Sequence, residues 1–150
     1  KSHLSVHTYP EYHPGTCLAT FRVDVDVTTC GKITPLSTLD YLIGSFDSDV
    51  ISMDYRVRGF TRDVNGKKHF TDHKVNSIRD YISPQILNMY EAEDMNVAEA
   101  NIYHTKMMLK NIDLQEYLFH TNVNDIPDEV KKEYAANVRR EMIEIFKSGR

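Results

Sequence analysis

The chain has 150 residues, 41% of them hydrophobic and 27% charged. That length suits one globular domain, which would bury about 70% of the surface its unfolded chain exposes. No apolar run approaches the roughly 20 residues of a membrane helix. The net charge of −4, with 18 basic residues and no basic block, speaks against a nucleic-acid surface. Cys17 and Cys30, the two cysteines, are too few for a disulfide scaffold and suit free thiols in a reducing cytoplasm. No signal peptide is expected. The chain starts Lys1-Ser2-His3 rather than with Met, so it is expected to be a fragment or a processed product.

Leu4 to Tyr9 predicts a short strand, and Pro10, Pro14 and Gly15 a loop. From Leu18 to Val27, Phe21, Val23, Val25 and Val27 alternate with Arg22, Asp24 and Asp26, the pattern of a half-buried antiparallel strand. Gly31 suits the tight turn after it. Pro35 opens a helix with Leu36, Leu39, Leu42, Ile43 and Phe46 on its apolar face. A strand over Val50 to Thr61, a turn at Asn65-Gly66 and a return strand over Lys67 to Thr71 predict a hairpin. Helices are expected near Val75 to Tyr81 and Pro84 to Tyr90 and a short helix over Asp113 to Phe119; Ile102 to Leu109 could be strand or helix, the flanking breaks favouring a strand. Pro127 to Phe146 is the clearest helix, with Val130, Tyr134, Val138, Met142 and Ile145 at helical spacing. Asp128 and Glu129 in its first turn and Lys147 beyond its end match the helix dipole. With no repeats and no linker, 1–150 reads as a single α+β domain, a mainly antiparallel sheet with helices on one face.

The residues with chemistry gather near the start. Ser2 is followed by His3, His7 and Glu11, and Cys30 stands beside a glycine at a strand end. A serine hydroxyl can attack the preceding carbonyl, here that of Lys1. An N→O acyl shift gives an ester, elimination splits the chain, and the dehydroalanine left behind hydrolyses to a pyruvoyl group. Such a step needs a strained peptide, donors for the oxyanion and a base, which a nearby histidine supplies. On spacing alone the plainer readings stay open: Ser2 as a frayed terminal residue, His7 as a strand histidine, Cys30 as a small buried hydrophobe and Glu11 as a solvated loop acid. His69 and His73 stand four apart with no third ligand, so they read as surface histidines and no metal site is assigned. Asp24 and Asp26 either line an acidic pocket or pair across strands with Arg56 or Arg58. Met107 and Met108 look like core and Cys17 structural. Arg139, Arg140, Glu141 and Glu144 form a solvated helix face.

The opening Ser2-His3-Leu4-Ser5-Val6-His7-Thr8-Tyr9-Pro10-Glu11 resembles the processing segment of prokaryotic S-adenosylmethionine decarboxylase proenzymes. Thr28-Thr29-Cys30-Gly31 resembles that family's proton-donor segment. Asp54-Tyr55-Arg56-Val57-Arg58-Gly59-Phe60-Thr61-Arg62-Asp63, His104-Thr105-Lys106-Met107 and Phe119-His120-Thr121 resemble its longer, gammaproteobacterial-type branch. The resemblance implies a pyruvoyl-dependent, cytoplasmic enzyme of polyamine synthesis, cut autocatalytically between Lys1 and Ser2. This chain would be the α-chain portion, with Lys1 on the β-chain side of the cut. Ser2 would become the pyruvoyl that forms a Schiff base with the substrate. His7 would serve processing, Cys30 would be the proton donor, and Glu11 would bind the ribose of S-adenosylmethionine. Tyr9 and Phe60 are candidate aromatic faces for adenine and the sulfonium, with core packing the alternative for Phe60. The implied architecture is an αββα sandwich completed by the N-terminal β chain and by assembly into a homo-oligomer of αβ units, with no nucleic-acid or membrane partner. The branch is associated with magnesium (Mg2+) stimulation, for which the sequence shows no ligand set. Two alternatives remain at this stage: a pyruvoyl-dependent arginine or ornithine decarboxylase, and an uncleaved, non-catalytic regulatory subunit.

Overall fold

The structure, a computed structural model, describes residues 2–13, 18–29, 34–58, 61–69, 75–118 and 121–147. The fold is α+β with antiparallel strand pairing, as the alternating segments predict. The chain forms two compact units. One consists of residues 1–2 and 28–110, the other of residues 3–27 and 111–150.

In the second unit, β1 (His3–His13) and β2 (Leu18–Thr28) form a two-stranded ribbon. The expected loop at Pro10 is not found: β1 runs through it to His13. A two-stranded ribbon has only edges, so a proline can turn its missing N–H outward without breaking a ladder. Strand alternation puts Leu4, Val6 and Tyr12 of β1, and Phe21, Val23, Val25 and Val27 of β2, on alternate positions. Val23 and Val25 are half-buried, but Leu4, Tyr12 and Phe21 are more than 60% exposed. The same unit contains α3 (Asp128–Lys147). Its buried residues are Val138, Met142 and Phe146, four apart as a helical stripe requires. Phe146 rather than Ile145 completes that stripe; Ile145 is exposed. The expected helix over Asp113 to Phe119 is a 3₁₀ turn, Leu114–Tyr117, begun by the Asp113 carboxylate accepting from Gln115 N at 2.9 Å.

The first unit is built on a three-stranded sheet in the order β3 (Val50–Arg56), β7 (Ile102–Leu109), β6 (Tyr90–Asp94). Val50 faces Met108 and Arg56 faces Ile102; Tyr90 faces Leu109 and Asp94 faces Thr105. β7 lies where the sequence predicts it and is central, with Tyr103, Thr105 and Met107 buried. Against this face pack Leu36, Val75 and Ile78 around Tyr103, and Ile43, Ile82 and Tyr90 around Met107. Leu36, Ile43 and Ile78 come from helical segments, which cover this face of the sheet. They include the 3₁₀ turn Pro35–Thr38, α1 (Leu39–Phe46) and the 3₁₀ turn Ile78–Tyr81. Pro35 sits in the first turn as predicted. On the opposite face His104 Nδ1 lies 3.0 Å from Asp54 Oδ1 on directly opposed residues.

Two further expectations change here. The strand from Val50 ends at Arg56, and the hairpin is a separate pair, β4 (Thr61–Arg62) with β5 (Lys68–His69). Its turn is organised by Asp63, whose carboxylate accepts from Asn65 N and Lys67 N at 2.9 Å, while Gly66 takes a φ of 77°. Between Val75 and Met95, the first expected helix shrinks to the 3₁₀ turn Ile78–Tyr81, fixed by a Ser77–Asp80 capping box. The second is α2 (Pro84–Met89), which passes directly into β6, a strand the sequence pattern did not reveal.

Candidate functional site

β1 starts at His3, directly after the exposed Ser2. Alternation then sends His7, Tyr9 and Glu11 to one face of the strand. On β2 the same rule groups Arg22, Asp24 and Asp26. The two groups share a face, because the Arg22 guanidinium lies over the Tyr9 ring at 5.3 Å from its centroid. The same guanidinium donates to Asp24 twice, Nε to Oδ1 at 2.9 Å and Nη2 to Oδ2 at 2.8 Å. From the Tyr9–Arg22 contact, one same-face step leads to His7 on β1 and to Asp24 on β2. The electrostatics follow that geometry: Asp24 interacts with His7, and Arg22 with Tyr9 and Glu11.

These neighbours shift the charges in consistent directions. The hydrogen bond from Arg22 holds the Asp24 carboxyl below its ordinary range against the opposing effect of desolvation, with the Arg22 charge and, least, His7 adding to the lowering. The hydrogen bond to Asp24 raises Arg22 in turn. Asp24 thus stays a carboxylate, and its partner is Arg22 of its own strand, not the expected Arg56 or Arg58. Tyr9, a candidate adenine platform, has Arg22 on its ring.

The structure therefore brings His7, Tyr9 and Glu11 together, all exposed. Ser2 groups with the first unit and these residues with the second. Lys1, Cys17, Cys30, Phe60 and His73 lie outside the described residues. Cys30 follows Thr28, the last residue of β2, by two positions. Arg22 is the member that sequence reasoning missed. Its alternation with Asp24 was legible, but an alternating charge pair reads as a solvated face until the opposing strand is placed. Among the described residues, no group of three His, Cys, Asp or Glu side chains could hold a metal ion. No helix among them is long and apolar enough to cross a membrane.

Ser2 thus directly precedes β1, and His7 and Glu11 share one face of that strand. Residues 1–59 match the family model described as S-adenosylmethionine decarboxylase. Relatives named S-adenosylmethionine decarboxylase proenzyme include one from Clostridium beijerinckii, 62% identical over 97% of this chain and 54% of the relative. Another, from Alkaliphilus oremlandii, is 60% identical over the same shares. One from Pseudomonas syringae is 54% identical over 97% of this chain and 55% of the relative. No solved structure matches significantly. The chain is similar to these S-adenosylmethionine decarboxylase proenzymes, and it spans about half the length of the curated relatives it matches.

Proposed function

We propose that this chain is the portion of a self-cleaving proenzyme that follows the bond between Lys1 and Ser2, and that the whole protein decarboxylates S-adenosylmethionine. The product would be the aminopropyl donor for spermidine. The observation that carries this reading is the shared face of His7 and Glu11 on the strand that begins directly after Ser2, in a chain 62% identical over 97% of its length to a proenzyme so named.

Ser2 is exposed and precedes the first ladder residue, which fits a hydroxyl nucleophile acting on the neighbouring peptide bond. Its Oγ attacks the Lys1 carbonyl carbon, the C–N bond breaks, and an ester forms with the Ser2 amine released. A base then takes the Cα proton of Ser2, the stage that the processing role proposed for His7 would serve. The electron pair forms a Cα=Cβ bond, the Cβ–O bond breaks, and Lys1 leaves as a carboxylate. Water displaces ammonia from the residue that remains, giving the pyruvoyl terminus. That group supplies the electron sink for loss of carbon dioxide from an α-amino acid. Glu11 holds the ribose through two hydroxyl-to-carboxylate hydrogen bonds. Cys30 returns a proton to the substrate carbon.

The exposed apolar side chains of the ribbon, Leu4, Tyr12 and Phe21 among them, support a further portion of the proenzyme, the N-terminal β chain, covering them. The αββα sandwich and assembly into a homo-oligomer of αβ units belong to the same reading, as does a cytoplasmic location, where Cys17 and Cys30 remain thiols.

The test is a denaturing intact-mass spectrum of protein made from the complete gene, with carbon dioxide release from S-adenosylmethionine measured on the same sample. Two chains, the larger starting at residue 2 with a pyruvoyl mass, and release of carbon dioxide are expected. A single chain with Ser2 intact would overturn the reading, as would carbon dioxide from arginine or ornithine instead.

A further inference from the structure

We propose that Asn65 is a modification site: it deamidates by attack of the Gly66 backbone nitrogen on its side chain, and the Asp63 carboxylate sets the rate by holding the β4–β5 turn shut. This chemistry needs only water and is separate from the decarboxylation proposed above.

Asn65 is the one asparagine of the chain that is followed by glycine. Glycine has no side chain, so its nitrogen is open to close approach. Val64, Asn65, Gly66 and Lys67 are all exposed. Among the described residues, a Cβ added to Gly66 would meet no atom within 4 Å, so water reaches the tip. In the reaction, Gly66 N gives up its proton and attacks Asn65 Cγ. The new N–Cγ bond closes a five-membered imide, the Cγ–Nδ2 bond breaks, and ammonia leaves with that proton. Water then opens the ring. Breaking the N–Cγ bond leaves an aspartate at position 65. Breaking the bond from the nitrogen to the backbone carbonyl carbon leaves an isoaspartate, whose main chain is one carbon longer.

The closed turn opposes the first step. Ring closure needs rotation about the Asn65 Cα–C bond and a Gly66 nitrogen without a partner. The turn denies both: Gly66 N donates to Asp63 O at 2.9 Å, and Asp63 N donates to Lys67 O at 3.0 Å. The reactive state is therefore the opened hairpin. Opening is within reach, because β4 and β5 have two residues each and form a sheet of their own. Isolated two-stranded hairpins are marginal in water. Asp63 biases the turn toward the closed form. Its Oδ1 accepts from Asn65 N and from Lys67 N, both at 2.9 Å, which holds the main chain on either side of the reacting bond. Arg62 Nη1 adds a bond to Gly66 O at 2.7 Å. The longer main chain of an isoaspartate cannot close the same turn, so the change runs one way.

The experiment incubates the complete protein at neutral pH and follows conversion of amide to acid at position 65 by peptide mass after digestion. Aspartate and isoaspartate forms separate by chromatography. Wild type, Asp63→Ala and Asp63→Asn are followed in the folded state, checked by an unfolding titration, and wild type also in denaturant. Folded wild type is expected to convert at Asn65, more slowly than the unfolded chain. Asp63→Ala should convert about 10- to 100-fold faster than folded wild type, the equilibrium effect of losing hydrogen bonds to a charged group. Asp63→Asn keeps an acceptor oxygen and should stay close to wild type. No conversion in folded wild type while the unfolded chain converts completely overturns the site. Equal rates for folded and unfolded wild type, or for Asp63→Ala and wild type, overturn the protection by the turn. An Asp63→Asn rate equal to that of Asp63→Ala overturns the assignment of that protection to the two bonds that Asp63 accepts.

Discussion

Asp94 and Thr105 face each other across the β6–β7 pair, and the Thr105 hydroxyl donates to Asp94 Oδ1 at 2.8 Å. Thr105 is fully buried. The second oxygen, Oδ2, accepts from Ser77 Oγ at 2.8 Å and from Arg79 Nε at 3.0 Å. One carboxylate therefore ties an edge strand, the central strand and the 3₁₀ turn Ile78–Tyr81 together. Removing a hydrogen bond to a charged group costs about 1.5–3 kcal/mol. Thr105→Val keeps nearly the same shape and deletes one such bond, so it should lower unfolding stability by that amount in denaturant titrations. A loss under about 0.5 kcal/mol, smaller than typical for even a neutral hydrogen bond, would show that the clasp is not under load.

The same cluster sets a pH dependence. Partial burial pushes the Asp94 carboxyl up, but hydrogen bonds from Ser77, Thr105 and Arg79, with the Arg79 charge, outweigh it and hold the group below the ordinary range. A carboxyl depressed on folding contributes stability that is present above its unfolded value of about 3.9 and is lost as pH falls toward the folded value. The stability advantage of wild type over Asp94→Asn should be full at neutral pH and shrink below about pH 4. Paired denaturant titrations at several pH values measure it. An advantage that stays constant through acid would mean that the charge of Asp94 is not what the cluster uses.

Met107 is fully buried on the central strand and packs with Ile43, Ile82 and Tyr90. Met107→Ala leaves a cavity under α1 and α2 and should cost about 2–5 kcal/mol. Calorimetry or denaturant unfolding reads it directly. A cost below about 1 kcal/mol, less than the usual range for such truncations, would mean that the helices collapse onto the sheet and the core is not tightly packed there.

How much of this was legible in the sequence depends on where each residue finds its partner. β7 was readable, as a strand favoured over a helix, because breaks flank Ile102 to Leu109 on both sides. β6 was not: Glu91, Ala92, Glu93 and Asp94 have the composition of a helix end, and Asp94 turns inward only because Ser77, Arg79 and Thr105 are there to satisfy it. β1 was read too short because Pro10 breaks most strands, and only the edge position admits it. At the site, the spacing of His7, Tyr9 and Glu11 fixes a common face whatever the fold. Arg22 could be identified only once β2 lay beside β1, since its two partners are one local and one across the ribbon.

The last prediction concerns Cys30, two residues beyond the end of β2, and tests its proposed role as proton donor. In the proposed reaction a pyruvoyl group would supply the electron sink for loss of carbon dioxide, and a donor would then have to protonate the substrate carbon before hydrolysis frees the amine product. Protonation elsewhere would leave the substrate nitrogen on the enzyme and end its activity. The donor must therefore be both acidic enough and well placed, and a thiol with an ordinary pKa of about 8.5 still carries its proton at neutral pH. Cys30→Ala should lower kcat by about 100-fold or more, the usual contribution of a placed acid, and should reduce the number of turnovers each molecule completes before it stops. Measuring carbon dioxide release to exhaustion, beside the initial rate, separates these two effects. A variant that keeps the wild-type rate and lifetime would take Cys30 out of the mechanism. A variant that loses rate but keeps its lifetime would assign Cys30 to binding or processing, leaving another acid to guard the substrate carbon.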